Sequence, residues 1–247
     1  MKSSDIGRRN MSTNPVWLFD ERKHTGSNFE DEAVVKAYDR HHQNIRDIQG
    51  EIKGILEFLD LKKDQTVLEI GTGTGEFAIA VAGLCSSVTA IDISPQMLRF
   101  AGEKAASRGV KNIDFRPGGF LSFEHEGAPF DAIVTQLALH HLPDFWKQVA
   151  LLRLSGMLKK GGRFFLRDAI YSFDPMDYES FFNHFIEATD GKSGKDAAAN
   201  VGIVSHIKNE FSTLDWIIEG MIRKADLSIE RCEKGSGFIS AYFCVKI

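Results

Sequence analysis

Apolar residues recur at three- and four-residue steps from Phe29 to Leu59: Val34, Val35, Tyr38, Ile45, Ile48, Ile52, Ile55, Leu56 and Leu59. That spacing predicts an amphipathic helix, or two shorter ones in succession. From residue 66 the rhythm changes. TVLEI (66–70) is a near-continuous apolar run, suited to a strand buried on both faces. GEFAIAVAGLC (75–85) then reads as a helix and SVTAID (87–92) as the next strand. Ser94 followed by Pro95 is an N-cap with proline at the first helical position, opening a helix that Gly109 closes. KNIDFRPG (111–118), FDAIVTQ (130–136) and GRFFLRDA (162–169) are three further strands. A helix over 145–160, capped by Asp144 and ended by Gly161 and Gly162, precedes the last of them.

Such alternation of strand and helix predicts a mostly parallel sheet with right-handed crossovers. The tail breaks the pattern. LSIERCE (227–233), the turn KGSG and FISAYFCVKI (238–247) alternate as an antiparallel hairpin does. Residues 171–212 are too many for a loop inside a compact domain, so they predict a small helical insertion, followed by a helix over 213–225. In PVWLFDE (15–21), Trp17 and Phe19 are expected to pack onto the body of the protein.

Composition narrows the partners. The 247 residues suit one domain, or one with an appendage, and the net charge of −4 with pI near 6.1 argues against nucleic acid and anionic membranes. An odd set of three cysteines, Cys85, Cys232 and Cys244, in apolar stretches reads as buried free thiols in a reducing compartment. No apolar run approaches membrane-spanning length and the start is polar, so the expected location is cytoplasmic.

The candidate chemistry begins at VLEIGTGTGEFAIAVA (67–82). A dinucleotide fingerprint needs G-x-G-x-x-G; Gly71 and Gly73 fit, but the third position is Glu76, which would repel a pyrophosphate at the helix start. A ligand without phosphates fits better. Glu69, a carboxylate inside an apolar strand, either accepts hydrogen bonds from the turn or balances a ligand ammonium. Asp92, at the end of the second strand, can accept both hydroxyls of a ribose.

This run, with VTAIDISPQML (88–98), resembles the class I S-adenosylmethionine-dependent methyltransferases, and within them the type-11 group. The resemblance covers roughly residues 64–168. It implies a Rossmann-like α/β fold: a seven-stranded, mostly parallel sheet in the order 3-2-1-4-5-7-6, strand 7 antiparallel, flanked by helices. It also implies a methyltransferase domain over 61–247 behind an N-terminal helical extension or lid over 1–60. Glu69, Gly71, Thr72, Gly73 and Gly75 correspond to the motif that cradles the methionine moiety of S-adenosylmethionine. Asp92 corresponds to the ribose-binding acid, and Ile93 and Met97 to residues packing on adenine. Gly119 stands where the family commonly has an acid for the adenine amino group, leaving backbone contacts from Gly119 and Phe120; Gln136 corresponds to a contact at the methionine end.

The acceptor is less legible. Methyl transfer asks the protein mainly to align a nucleophile and exclude water, with a general base only where the nucleophile holds its proton. LALHHLPD (137–144) and FFLRDAIYSF (164–173) lie beyond the strand ends where ligands sit in such sheets. His140 and His141 read either as local turn structure or as a base, His140 being the catalytic candidate; no catalytic residue is assigned. Arg167 and Asp168 read either as a mutual ion pair or as substrate contacts, and Tyr38 and Arg46 as lid residues reaching the site. Phe173, Tyr178, Phe181, Phe182 and Phe185 read as core or as the roof of a pocket for an apolar small molecule. No His or Cys spacing suggests a metal. The expectation is methyl transfer to a small-molecule acceptor, with a homodimer left open. Protein or RNA methylation, non-catalytic binding of S-adenosylmethionine and a dinucleotide oxidoreductase are the alternatives.

Overall fold

In the computed structural model the described residues are 15–23, 47–192 and 197–247, with backbone alone for 189–192 and 197–201. Tyr38, Arg46, the tandem His41 and His42, and the first part of the N-terminal amphipathic stretch lie outside them. Its last part is helix α1 (Ile48–Leu59), capped by Asp47, whose carboxylate accepts the Gly50 amide at 3.0 Å.

Strand and helix then alternate: β1 (Thr66–Ile70), α2 (Glu76–Ala82), β2 (Ser87–Asp92), α3 (Pro95–Ser107), β3 (Ile113–Pro117) and β4 (Phe130–Gln136). They continue as α4 (Asp144–Met157), β5 (Leu158–Tyr171), α5 (Tyr178–Lys192), α6 (Ala197–Asn209), β6 (Thr213–Leu214), α7 (Asp215–Lys224), β7 (Leu227–Gly235) and β8 (Ile239–Lys246). The sheet order is β3-β2-β1-β4-β5-β8-β7, with β8 antiparallel to both neighbours. This is the expected order with one addition: two-residue β6 pairs with the end of β5 at Ile170 and Tyr171, which shifts the numbering of the hairpin strands.

Alternate side chains of the buried strands feed two cores on opposite faces of the sheet. Leu68, Ile133, Phe164 and Tyr242 meet Leu151 and Leu154 of α4 and Ile218 and Ile222 of α7. Val67, Ala132, Phe165 and Phe243 meet Ile52 and Ile55 of α1 and Phe77 of α2. This period-two division accounts for apolar residues standing side by side in β1 and β4, at Val67–Leu68 and Ala132–Ile133–Val134.

Three local expectations need correction. α4 ends at Met157, three residues before Lys160, because Leu158 is buried and pairs with Phe130 in β4. Pro143, not Asp144, is its N-cap; the Asp144 carboxylate instead binds Lys147 at 2.8 Å and the Thr213 hydroxyl at 3.1 Å. In the 15–23 segment Phe19 packs against Trp146 and Phe211, whereas Trp17 is exposed. Cys85 and Cys244 are buried free thiols, and Cys232 is half-buried and free.

Candidate active site at the carboxyl edge of the sheet

The glycine turn after β1 is built from left-handed backbone. Gly71, Gly73 and Gly75 have φ of 73°, 53° and 77°, a region that penalises any Cβ. At Gly71 a Cβ would also fall 2.5 Å from that of Ala138, so the turn lies flush against the chain leaving β4. The Gly71 and Thr72 amides donate to the Ile91 carbonyl at 2.9 and 3.0 Å, tying the turn to β2. Beneath it Glu69 is 3% exposed and accepts the Thr72 hydroxyl at 2.7 Å. Burial pushes its carboxyl up to about 8; the Thr72 and Ala78 hydrogen bonds oppose that, and Asp92 adds to it.

Asp92 closes the turn from the neighbouring strand. Its carboxylate accepts the Gly73 amide at 2.8 Å and the Ser94 amide at 2.9 Å. Ser94 caps α3 by accepting the Met97 amide at 3.2 Å, with Pro95 behind it, so two short-range signals fix where Asp92 and Met97 stand. A pocket opens here at the carboxyl ends of β1, β2 and β4. Gly71, Gly73, Asp92, Ile93 and Met97 line it from one side, and Gly119, Phe120 and Gln136 from the other. Three anticipated cofactor residues do not line it. Glu69 and Thr72 lie under the turn, bonded to each other, and Gly75 caps α2 with its Cα facing Ala101. Glu76 is not in the pocket wall either. Lys104 and Arg108 hold its carboxylate at 3.0 and 3.3 Å, and against the cost of burial they keep its pKa below the usual range. The phosphate-repelling role anticipated for it is therefore much reduced.

Sequence reasoning missed Glu21. Its carboxylate accepts the Leu121 amide at 3.0 Å and the Ser122 amide at 2.8 Å, and it lines the pocket together with Lys23. A Cβ on Gly119 would fall 2.5 Å from Glu21 Oε2, so Glu21 occupies the space a side chain at 119 would take. No local pattern betrays a contact that spans a hundred residues of chain.

Beyond β4, Leu137 carries φ of 51°, unusual for a branched residue, and its amide donates to the Arg167 carbonyl at 2.7 Å. It turns the chain so that Leu137, Ala138, His141 and Leu142 line the pocket. His140 does not. Its ring is buried, with Nδ1 on the Asp168 carboxylate and Nε2 3.0 Å from Glu210. Burial alone would lower its pKa, but Asp168 and Glu210 outweigh that and hold it up at about 9. His141 goes the other way. Burial, and then the neighbouring His140, lower it to about 4, so it presents a neutral imidazole to the pocket. Arg167 and Asp168 do not pair with each other, because consecutive strand residues point to opposite faces. Arg167 reaches Glu51 of α1 at 2.5 Å, and Asp168 reaches His140.

Glu210 also contacts His206 one turn earlier on α6, and the His206 Nε2 lies 2.7 Å from the Ser212 hydroxyl. The i, i+4 spacing of His206 and Glu210 was the available signal for this cluster. Of the aromatic residues of the insertion, none of Phe173, Tyr178, Phe181, Phe182 and Phe185 lines the pocket. Phe173 stacks on Phe181 at 3.8 Å and Phe185 on Phe238 at 4.4 Å, while Tyr178 is exposed.

This architecture has relatives. A family model described as a methyltransferase domain matches residues 67–162. An uncharacterised methyltransferase of Bacillus mycoides is 33% identical over 162 residues, 66% of this chain and 70% of that protein. The uncharacterised methyltransferase YcgJ of Bacillus subtilis is 31% identical over 137 residues. The YcgJ crystal structure superposes with a TM-score of 0.59 at 22% identity, over 75% of this chain and 72% of that one. The N-methyltransferase NodS of Bradyrhizobium japonicum, solved with S-adenosyl-L-homocysteine, superposes with a TM-score of 0.57 at 18% identity, over 80% and 86%. The chain spans 66% and 53% of the length of the first two curated relatives it matches. On fold, glycine turn and these relatives together, the chain belongs to the class I S-adenosylmethionine-dependent methyltransferases.

Proposed function

We propose that the protein binds S-adenosylmethionine in the pocket at the carboxyl edge of the sheet and transfers its methyl group to a small-molecule acceptor. The observation that carries this reading is the convergence of Gly71, Gly73, Asp92, Met97 and Gln136 on one cavity above a buried Glu69. Among the described residues no cation faces Glu69, whose carboxyl burial raises to about 8; lying under the turn on the Thr72 hydroxyl, it would act on a ligand ammonium through the turn and not by contact. Asp92, in the pocket wall at the end of β2, offers a carboxylate acceptor to ribose hydroxyls. Glu21 supplies, from the N-terminal side, the acid that Gly119 lacks, and would accept from an adenine amino group.

When bound, the sulfonium supplies an already activated methyl group. The chain's residues bind, orient and exclude water. Leu137, Ala138 and Leu142 give an apolar wall, and His141 offers a hydrogen-bond acceptor too weak as a base to keep a proton at neutral pH. A small acceptor is supported by the net charge of −4, which provides no attraction for nucleic acid, and by the Glu21–Lys23 stretch along the pocket rim. The absence of any helix long and apolar enough to cross a membrane among the described residues fits an acceptor met in aqueous solution, and we place the protein in the cytoplasm.

Calorimetric titration with S-adenosylmethionine, S-adenosylhomocysteine and NAD tests the cofactor. Binding of the first two is expected, and stabilisation by NAD alone overturns the assignment. Incubation with methyl-labelled S-adenosylmethionine and metabolite, protein and RNA fractions tests the acceptor. Label is expected in the metabolite fraction; label confined to RNA or protein refutes the small-molecule reading.

A further inference from the structure

We propose that His140, His206 and Glu210 form a binding site for one divalent transition cation of the zinc class, beside the cofactor pocket and separate from it. The three residues come from two elements locked together by backbone. His140 sits in the 3-10 turn after β4 (Leu139–His141), and the Phe211 amide donates to its carbonyl at 2.8 Å. β6 then pairs with the end of β5, fixing the chain just past Glu210. One ligand-competent atom from each residue lies within 4.8 Å of the others.

The outer contacts specify which atoms face inward. His140 Nδ1 is taken by Asp168, whose carboxylate also accepts the His140 amide at 3.0 Å. His206 Nε2 is taken by the Ser212 hydroxyl at 2.7 Å. Both rings are thus anchored by their outer nitrogens, and both inner nitrogens, His140 Nε2 and His206 Nδ1, converge on the same oxygen, Glu210 Oε2. Without a cation, two N–H groups must share that single oxygen. With one, each ring is neutral, donates outward and offers an inward lone pair, and Glu210 supplies the anionic ligand. A histidine oriented by a carboxylate on its far nitrogen is the usual support for a metal-bound imidazole. Two imidazoles and a carboxylate are borderline donors that suit zinc and its neighbours rather than calcium or magnesium, and they leave one tetrahedral position open for water or an acceptor heteroatom.

Cation binding here stands independently of the acceptor's identity. The chelator-treated full chain is dialysed against zinc chloride and its metal content measured by mass spectrometry. One zinc per chain is expected. His206→Gln and Glu210→Gln should each weaken binding at least about 100-fold, and Asp168→Asn by about 10- to 100-fold. Cys232→Ser should leave stoichiometry unchanged. The cobalt-loaded wild-type chain gives a reading that needs no variant: visible d–d bands of a four-coordinate centre without a thiolate charge-transfer band. The proposal is overturned if the wild type takes up no zinc. It is also overturned if the His206 and Glu210 variants, folded by circular dichroism, bind as tightly as wild type, or if cobalt shows thiolate ligation.

Discussion

Glu69 and Gly71 show how much of the site is decided by single positions. Folding raises the Glu69 carboxyl from 4.5 to about 8, so between those values the folded chain holds a proton that the unfolded chain has released. Stability from this group is therefore complete below the lower value and is lost as pH climbs through the upper one. Glu69→Gln is neutral and nearly isosteric; it should flatten the decline in denaturant-unfolding free energy between about pH 5 and about pH 8, and an unchanged slope would assign the decline to another group. The glycines separate in the same way. Gly71→Ala places a Cβ 2.5 Å from Ala138 on left-handed backbone and should destabilise by more than the roughly 1–2 kcal/mol of the backbone alone. Gly102, inside α3 with nothing within 4 Å, is the contrast: Gly102→Ala should stabilise by up to about 1 kcal/mol. Equal shifts in unfolding midpoint for the two would contradict both arguments. On the ligand side, Asp92→Ala removes the pocket's carboxylate acceptor, worth about 1.5–3 kcal/mol, or about 10- to 100-fold in the calorimetric affinity for S-adenosylhomocysteine.

Among the elements, the return of the insertion to the sheet depends on the first turn of α4. Lys147 is 2% exposed, and its ammonium binds the Asp144 carboxylate and the Phe211 carbonyl. Asp144 in turn holds Thr213 at the start of β6. Lys147→Met should cost about 1.5–3 kcal/mol and increase amide exchange over 205–214, while α2 and α3 stay protected. Uniform loss of protection would mean that the bond supports the whole body rather than the insertion. Elements whose signals lie within a few residues were legible in the sequence: the GTGTG turn, the Ser94–Pro95 cap, the period-two hairpin of β7 and β8. The end of α4 was not, because Leu158 is claimed by Phe130 across the sheet, a contact with no local pattern. The same holds for the site. Asp92 could be read from the end of β2, and Met97 followed from the family resemblance, but Asp168 on His140 and Glu21 beside Gly119 exist only once distant segments are folded together.

At the scale of the molecule, the two cores share every central strand, so the sheet should respond to ligand as one body. Saturation with S-adenosylhomocysteine at 100 times its dissociation constant should raise unfolding free energy by about 2.7 kcal/mol in a single transition. Two transitions, only one of them ligand-dependent, would show that the insertion and hairpin melt apart from the β1–β4 half. Alternation and the terminal hairpin predicted a mostly parallel sheet with a reversed tail, while the order of its strands was implied by the family resemblance; the partition of its residues into two cores followed from the alternating side chains of each buried strand.

The reach of Glu21 across to Leu121 and Ser122 bears on how such a protein is cut, borrowed or inherited. A shortened version beginning after residue 23 would retain α1 and every strand of the sheet, losing from the core only the packing of Phe19 against Trp146 and Phe211. It would nonetheless have shed Glu21, the acid beside Gly119, and on the proposed reading of the pocket the group that would tell an adenine from another flat ring. Recombination that swaps leading segments among related enzymes could thus retune nucleoside selectivity without altering a residue of the sheet.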